Sequence, residues 1–291
     1  MSVLEQAYTT AMARASRVVF PEMDHARVAE AAHWLADRGL CQPLALADPS
    51  EAQVAALMRT RGCKESFARK LIDKPLYRAA AMVAAGEADV LVAGADAPTR
   101  EVIKAAGMAI GLAPGVATPS SFFLMIFPDG RELIFADCAV NVAPNAAQLA
   151  DIARASAGSG EALLGSACVA LLSFSTGRSG SGTAVEMVRE AAEITGFAGP
   201  VQADAALSAR VARVKGIEPL DANVLVFPSL DAGNIAYKLC QELGGAQALG
   251  PFLQGFARPV CDLSRGASVD DIVNATVLSI AMDRVPVDQA P

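Results

Sequence analysis

The chain has 291 residues, 53% of them hydrophobic and 19% charged, with a formal net charge of −7. That length allows two ordinary domains or one large α/β domain, and an apolar content dominated by Ala, Val, Leu and Ile suits close helix-on-sheet packing. The acidic balance argues against a general nucleic-acid binder, and no apolar run is long enough to span a membrane.

In chain order the pattern alternates between short apolar runs and helical periodicity. Met1 to Arg17 lacks a long apolar core, so no secretory signal is expected. Val18-Val19-Phe20 reads as a strand, followed by a helix over Ala26 to Arg38. Leu44 to Leu46 reads as the next strand and Glu51 to Thr60 as a helix. After a polar stretch come a helix from Leu76 to Ala85, a strand over Asp89 to Ala93 and a helix over Glu101 to Met108. Ser121–Phe127 and Glu132–Phe135, flanking Pro128-Asp129-Gly130, form a predicted hairpin. Ala147 to Ser156 is helical, Cys168 to Phe174 a buried strand and Ala184 to Ile194 a helix. Val224 to Phe227, the helix Asn234 to Leu243, the strand end Pro259 to Leu263 and the helix Ile272 to Met282 complete the series. This rhythm implies a largely parallel sheet covered on both faces. The hairpin breaks the alternation, which places a domain crossing near Ala113 to Val116 and a return near Leu253. The expected domains are therefore 1–114 with 253–291, and 115–252.

In such sheets ligands bind beyond the carboxyl ends of the strands, and four of those ends carry polar or small residues. The first, Asp96 to Arg100, offers the Arg100 guanidinium at a helix start. The second, Ser173 to Thr183, has glycines and hydroxyls, including Ser175, Thr176 and Gly177, that let backbone amides approach an anion. It lacks the lysine of a P-loop, so nucleotide hydrolysis has little support. The third, Ser229 to Asn234, includes Asp231 and Asn234. The fourth, Asp262-Leu263-Ser264-Arg265-Gly266-Ala267-Ser268-Val269-Asp270-Asp271, gathers hydroxyls, a fixed cation and carboxylates into one strand-to-helix turn. Ser268 and Asp271 have the spacing of a capping box, and that alone would account for them. Alternatively, Arg265 and the helix N-terminus form an anion pocket beside which Ser264 and Asp271 handle a proton or a developing charge.

The same segments resemble the signatures of phosphate acetyltransferases. The match runs through Phe20-Pro21-Glu22-x-Asp24-x-x-Arg27, Phe135 to Asn141, Leu172 to Thr176, Phe227 to Ile235, Gly250 to Gly255 and Asp262 to Gly266, collinear from about Val18 to Met282. The family includes phosphate butyryltransferases and the C-terminal domain of some malic enzymes. The resemblance implies two α/β/α domains with largely parallel sheets and an interdomain active-site cleft, an isocitrate/isopropylmalate dehydrogenase-like architecture, and a cytoplasmic homodimer acting in acetate metabolism. It implies reversible acyl transfer between coenzyme A and inorganic phosphate, with acetyl-CoA the leading substrate and propionyl or butyryl transfer the variants. Asp271 would be the base for the CoA thiol and Ser264 would stabilise developing charge. Arg265 would hold the acyl phosphate. Arg100, Ser175, Thr176, Gly177, Asp231 and Asn234 would bind phosphate or CoA. The scheme needs no metal and no tightly bound cofactor, and its partners are small molecules. The chain departs from the family at Glu242, where many members have Arg, and at Met23, where Gly is frequent. Glu242 keeps open a different class, a non-catalytic module that senses acyl-CoA.

Other chemistries fare worse. The six cysteines, Cys41, Cys63, Cys138, Cys168, Cys240 and Cys261, form no CxxC pair and read as reduced thiols of a cytosolic protein. His25 and His33, the two histidines, read as surface or packing residues. No G-x-S-x-G elbow or G-x-G-x-x-G fingerprint supports a hydrolase or a dehydrogenase.

Overall fold

The computed structural model describes residues 1–283. Their contacts divide into two compact units, Met1–Val116 with the chain from Gly250 onward, and Ala117–Leu249. The elements in order begin with α1 (Val3–Arg14), β1 (Arg17–Val19), α2 (Ala26–Asp37), β2 (Gln42–Leu44), α3 (Glu51–Arg61), α4 (Glu65–Ile72), α5 (Pro75–Ala84), β3 (Val90–Ala93) and α6 (Thr99–Ala109). The second unit holds β4 (Ser120–Ile126), β5 (Glu132–Ala136), α7 (Ala146–Leu164), β6 (Val169–Leu172), α8 (Thr183–Thr195), β7 (Ala198–Val201), α9 (Ala203–Leu207), α10 (Ala209–Val214), β8 (Val224–Val226) and α11 (Leu230–Gly244). The chain returns through β9 (Gln247–Gln254) to β10 (Val260–Asp262) and α12 (Val269–Ala281).

In the first unit the strand order is β2-β1-β3-β10-β9. β2, β1, β3 and β10 run parallel, while β9 pairs antiparallel with β10. Parallel strands buried on both faces must be apolar throughout, and Val90–Ala93 is buried at every position. Helices α1, α2 and α12 pack together, as do α3 to α6, and both groups reach the strands. At the amino ends of these strands Asp89 accepts from the Arg17 backbone, Nε and Nη2, with the Arg258 guanidinium beside it. Burial pushes the Asp89 carboxyl up, but these bonds and cations outweigh it and hold it below the usual range.

The second unit has the order β4-β5-β8-β6-β7, with β4 antiparallel to β5 and the rest parallel. Its core joins Phe123, Phe135, Phe227 and Tyr237 with aliphatic residues of β6 and β8. Phe123 and Tyr237 stack with ring centroids 4.2 Å apart. The α/β class with mostly parallel strands is therefore as expected.

Several local expectations are corrected. The second strand lies at Gln42–Leu44 rather than Leu44–Leu46, because Gln42 to Leu44 pair in register with Arg17 to Val19. The polar stretch before α5 contains α4. Helix α7 continues eight residues past Ser156, where the expected helix ended. A Cβ at Gly160 would sit 2.7 Å from the Val224 side chain, so glycine lets this helix lie close on β8. Helix α11 starts at Leu230, where Ser229 caps it, so Asp231 lies in its first turn and Asn234 inside it.

Candidate active site

In the first unit three segments leave the carboxyl ends of neighbouring parallel strands, after β1, β3 and β10. The last is the Ser264–Asp271 turn. Ser264, Arg265 and Asp271 are all exposed. Ser264 Oγ accepts from Gly266 N at 3.3 Å. Ser268 Oγ accepts from Asp271 N, and Asp271 Oδ2 accepts from Ser268 N at 2.9 Å and Ser268 Oγ at 2.8 Å. The capping box is real, and it leaves Asp271 Oδ1 outside it. The box thus uses one oxygen of the Asp271 carboxylate and leaves the other free of it. The Arg265 side chain extends from the same turn that the box terminates.

The turn is tied from below. Leu263 N donates to Ala93 O at 2.6 Å, continuing the β10–β3 pairing. From the first turn of α2, Arg27 Nη2 donates to Arg265 O at 2.8 Å and Nη1 donates to Ala267 O. The segment after β3 is tied as firmly. Glu22 Oε2 accepts from Gly94 N and Ala95 N, each at 2.9 Å, and Oε1 accepts from Asp96 N at 3.0 Å and Ala97 N at 2.7 Å. Thr99, which opens α6, donates its hydroxyl to Asp262 Oδ2 at 2.5 Å. Arg100 follows it with its side chain 90% exposed, 3.7 Å from Glu101.

The Asp262 carboxyl is displaced from its ordinary acidity. It is buried, and its Oδ1 has no hydrogen-bond partner. Burial pushes its carboxyl up to about 6, the Thr99 bond opposes this, and the charge of Glu22 adds to it. Gly94 is the residue that lets β3 pass it: at φ +107°, a Cβ there would lie 2.6 Å from Asp262 Oδ1 and 2.7 Å from Leu263 N and O. Glu22, Arg27, Thr99 and Asp262 were not singled out as site residues by sequence reasoning, although all but Thr99 stand in quoted signatures and Thr99 lies in the Asp96–Arg100 segment.

In the second unit the glycine-rich segment after β6 differs from its expected use. The amides of Ser175, Thr176, Gly177, Ser179 and Gly180 donate to Ser173 Oγ, Ser179 Oγ, Pro200 O, Thr176 O and Ser175 Oγ. Those five N–H groups are consumed by the loop and its neighbours, so they do not form an open anion cradle. Ser175 and Thr176 are buried, Thr176 Oγ1 lying 3.2 Å from Gln202 Oε1, while Gly177 is exposed. Asp231 is exposed and Asn234 Nδ2 donates to Cys138 O at 3.1 Å. The Phe135–Asn141 signature is organised by buried Asp137, whose carboxylate accepts from the backbones of Ser121, Ala139, Val140 and Asn141 and from the Ser121 hydroxyl.

Thiol and imidazole chemistry finds no comparable arrangement. Burial pushes the Cys41 and Cys261 thiols up to about 12, which leaves neither poised as a nucleophile. His33 is an exposed partner of Asp37 at 3.4 Å. Among the described residues no group of His, Cys, Asp or Glu could hold a metal ion, and no helix is long and apolar enough to cross a membrane.

The Haemophilus influenzae phosphate acetyltransferase is 39% identical over 93% of this chain, which spans 44% of that relative's length. The Acetivibrio thermocellus phosphate acetyltransferase is 35% identical over 96% of this chain and 97% of its own. Among solved structures, a phosphotransacetylase from Streptococcus pyogenes superposes with a TM-score of 0.89 at 32% identity, covering 96% of this chain and 97% of that one. The family model for phosphate acetyl/butaryl transferase matches residues 51–280, and the chain belongs to that family.

Proposed function

We propose that the protein catalyses reversible acyl transfer between coenzyme A and inorganic phosphate, with acetyl the leading acyl group. The observation that carries this reading is the single turn bearing Ser264, Arg265 and Asp271, exposed together in a chain of this family. Asp271 takes the proton of the CoA thiol, since the thiolate is the nucleophile. The thiolate attacks the acyl phosphate carbonyl, and the Ser264 hydroxyl donates to the charge that develops. Arg265 binds the phosphoryl oxygens and stabilises phosphate as it leaves. Run backwards, phosphate attacks the thioester and Asp271 returns the proton to CoA. Arg100, exposed at the start of α6, supplies a second cation for the phosphate end. Gly177, Asp231 and Asn234, with the loop shaped by Ser175 and Thr176, contribute to CoA recognition. The scheme uses no metal and no tightly bound cofactor.

The assembly we infer is a cytoplasmic homodimer. Its support is α11, a 15-residue helix in which only Gly233 and Tyr237 are buried. Ile235, Leu239 and Leu243 are 56%, 51% and 83% exposed at successive helical turns. Lys238 and Glu242 flank that stripe, so an antiparallel copy of α11 would match both the apolar residues and the charges. The six unpaired cysteines favour a reducing compartment.

Phosphate-dependent release of free thiol from acetyl-, propionyl- and butyryl-CoA tests the reading. Turnover that requires phosphate supports it and ranks the acyl groups. Binding of acyl-CoA without thiol release from any of the three would replace it with the sensing module.

A further inference from the structure

We propose that Glu22 and Arg27 are positioning residues for acyl transfer, a bracket carried at the junction of β1 and α2 that sets the backbone of two substrate-facing segments. The inference rests on the acyl-transfer reading and adds residues to which that reading gives no role.

Four residues lie between these opposite charges, and they do not pair with each other. Glu22 gives both carboxylate oxygens to the four consecutive amides of Gly94 to Ala97, the run that leads directly into Thr99 and Arg100. Arg27 gives two nitrogens to the carbonyls of Arg265 and Ala267, which flank Gly266 on the turn of Ser264 and Arg265. Asp262 and Thr99 link the two segments between those ties. Apart from His25 Nε2, 3.4 Å from Arg27 Nη2, the hydrogen-bond partners of both ions are backbone groups, and a part-buried ion so placed returns little net stability because desolvation offsets most of what the bonds provide. Its return is geometry. A carboxylate that accepts four amides fixes their plane, and a planar guanidinium fixes the spacing of two carbonyls in a way that an ammonium cannot. The placement of the Arg265 guanidinium follows from its backbone, and a displacement of about 1 Å in a reacting assembly costs about 100-fold in rate.

The test compares wild type with Arg27→Lys, Arg27→Ala, Glu22→Gln and, as control, Arg38→Gln at the far end of α2. We expect kcat to fall about 100-fold for Arg27→Lys with KM for acyl phosphate changed far less, since the loss is in transition-state alignment. Thermal midpoints should stay within a few degrees of wild type, and guanidinium ion should restore part of the kcat of Arg27→Ala. Glu22→Gln should lose kcat in the same manner, and its Gly94–Ala97 amides should exchange hydrogen faster. Wild-type kcat in Arg27→Lys would overturn the proposal. So would a loss that tracks only the unfolded fraction and is not rescued by guanidinium. A wild-type protein without turnover would instead strike the acyl-transfer reading. The bracket would then stand or fall on whether Glu22→Gln accelerates exchange at those four amides.

Discussion

Replacing Asp262 by Asn should stabilise the folded protein at alkaline pH. The carboxyl is buried, lacks a partner for Oδ1 and is pushed from an ordinary 3.8 up to about 6. A group raised in this way gives stability that is full below its unfolded value and is lost as pH rises through the folded one. At about 1.36 kcal/mol per tenfold step in acidity, ionised Asp262 costs the folded state about 3 kcal/mol at about pH 8. At about pH 5 the cost is half that, about 1.5 kcal/mol, because the folded group is then mostly protonated. Asparagine removes the charge and keeps an oxygen for the Thr99 hydroxyl, at a loss of about 1 kcal/mol for the weaker acceptor. The net gain is about 2 kcal/mol at about pH 8, or about 4–8 °C in the thermal midpoint, and most of it disappears at about pH 5. Urea unfolding of both proteins at the two pH values measures it. A variant less stable than wild type at alkaline pH, or a gain independent of pH, would refute the reasoning.

Three further outcomes follow from the same geometry. Gly94→Ala places a methyl 2.6 Å from Asp262 Oδ1 at a left-handed φ, and should cost about 3 kcal/mol or more in unfolding free energy. Asp271→Asn preserves an acceptor for the Ser268 amide but not the base; its melting should move by less than about 1 kcal/mol while kcat falls about 100-fold or more. Leu239→Glu inserts like charges into the middle of the α11 stripe, and light scattering should report a monomer where wild type is a dimer.

Sequence reading succeeded where a short apolar run ended in a turn signal before helical periodicity, as at Val90–Ala93 into Thr99. It failed where glycine lies inside an element. No strand was expected at Gly199-Pro200 or Gly250-Pro251, yet they lie inside β7 and β9. The helix expected to end at Ser156 runs on through α7, where Gly160 is a close approach to Val224. Helix α1 has little amphipathic pattern, although Ser2 and Glu5 carry a readable capping box. The Ser264–Asp271 turn was legible because its residues are local. Its supports were not, since Glu22 reaches 72 positions to Gly94, Thr99 reaches 163 to Asp262 and Arg27 reaches 238 to Arg265. Such pairings arise only when parallel strands far apart in sequence bring their carboxyl ends side by side.

Thiol release from acetyl-CoA in the presence and absence of phosphate, measured on wild type beside a Ser264→Ala/Arg265→Ala double variant, tests the central claim most directly. Both side chains are exposed on their turn, so the variant should fold and melt like wild type. The predicted result is phosphate-dependent release by wild type and its loss in the double variant. Undiminished release by the variant would contradict the assignment of this turn as the site of acyl transfer.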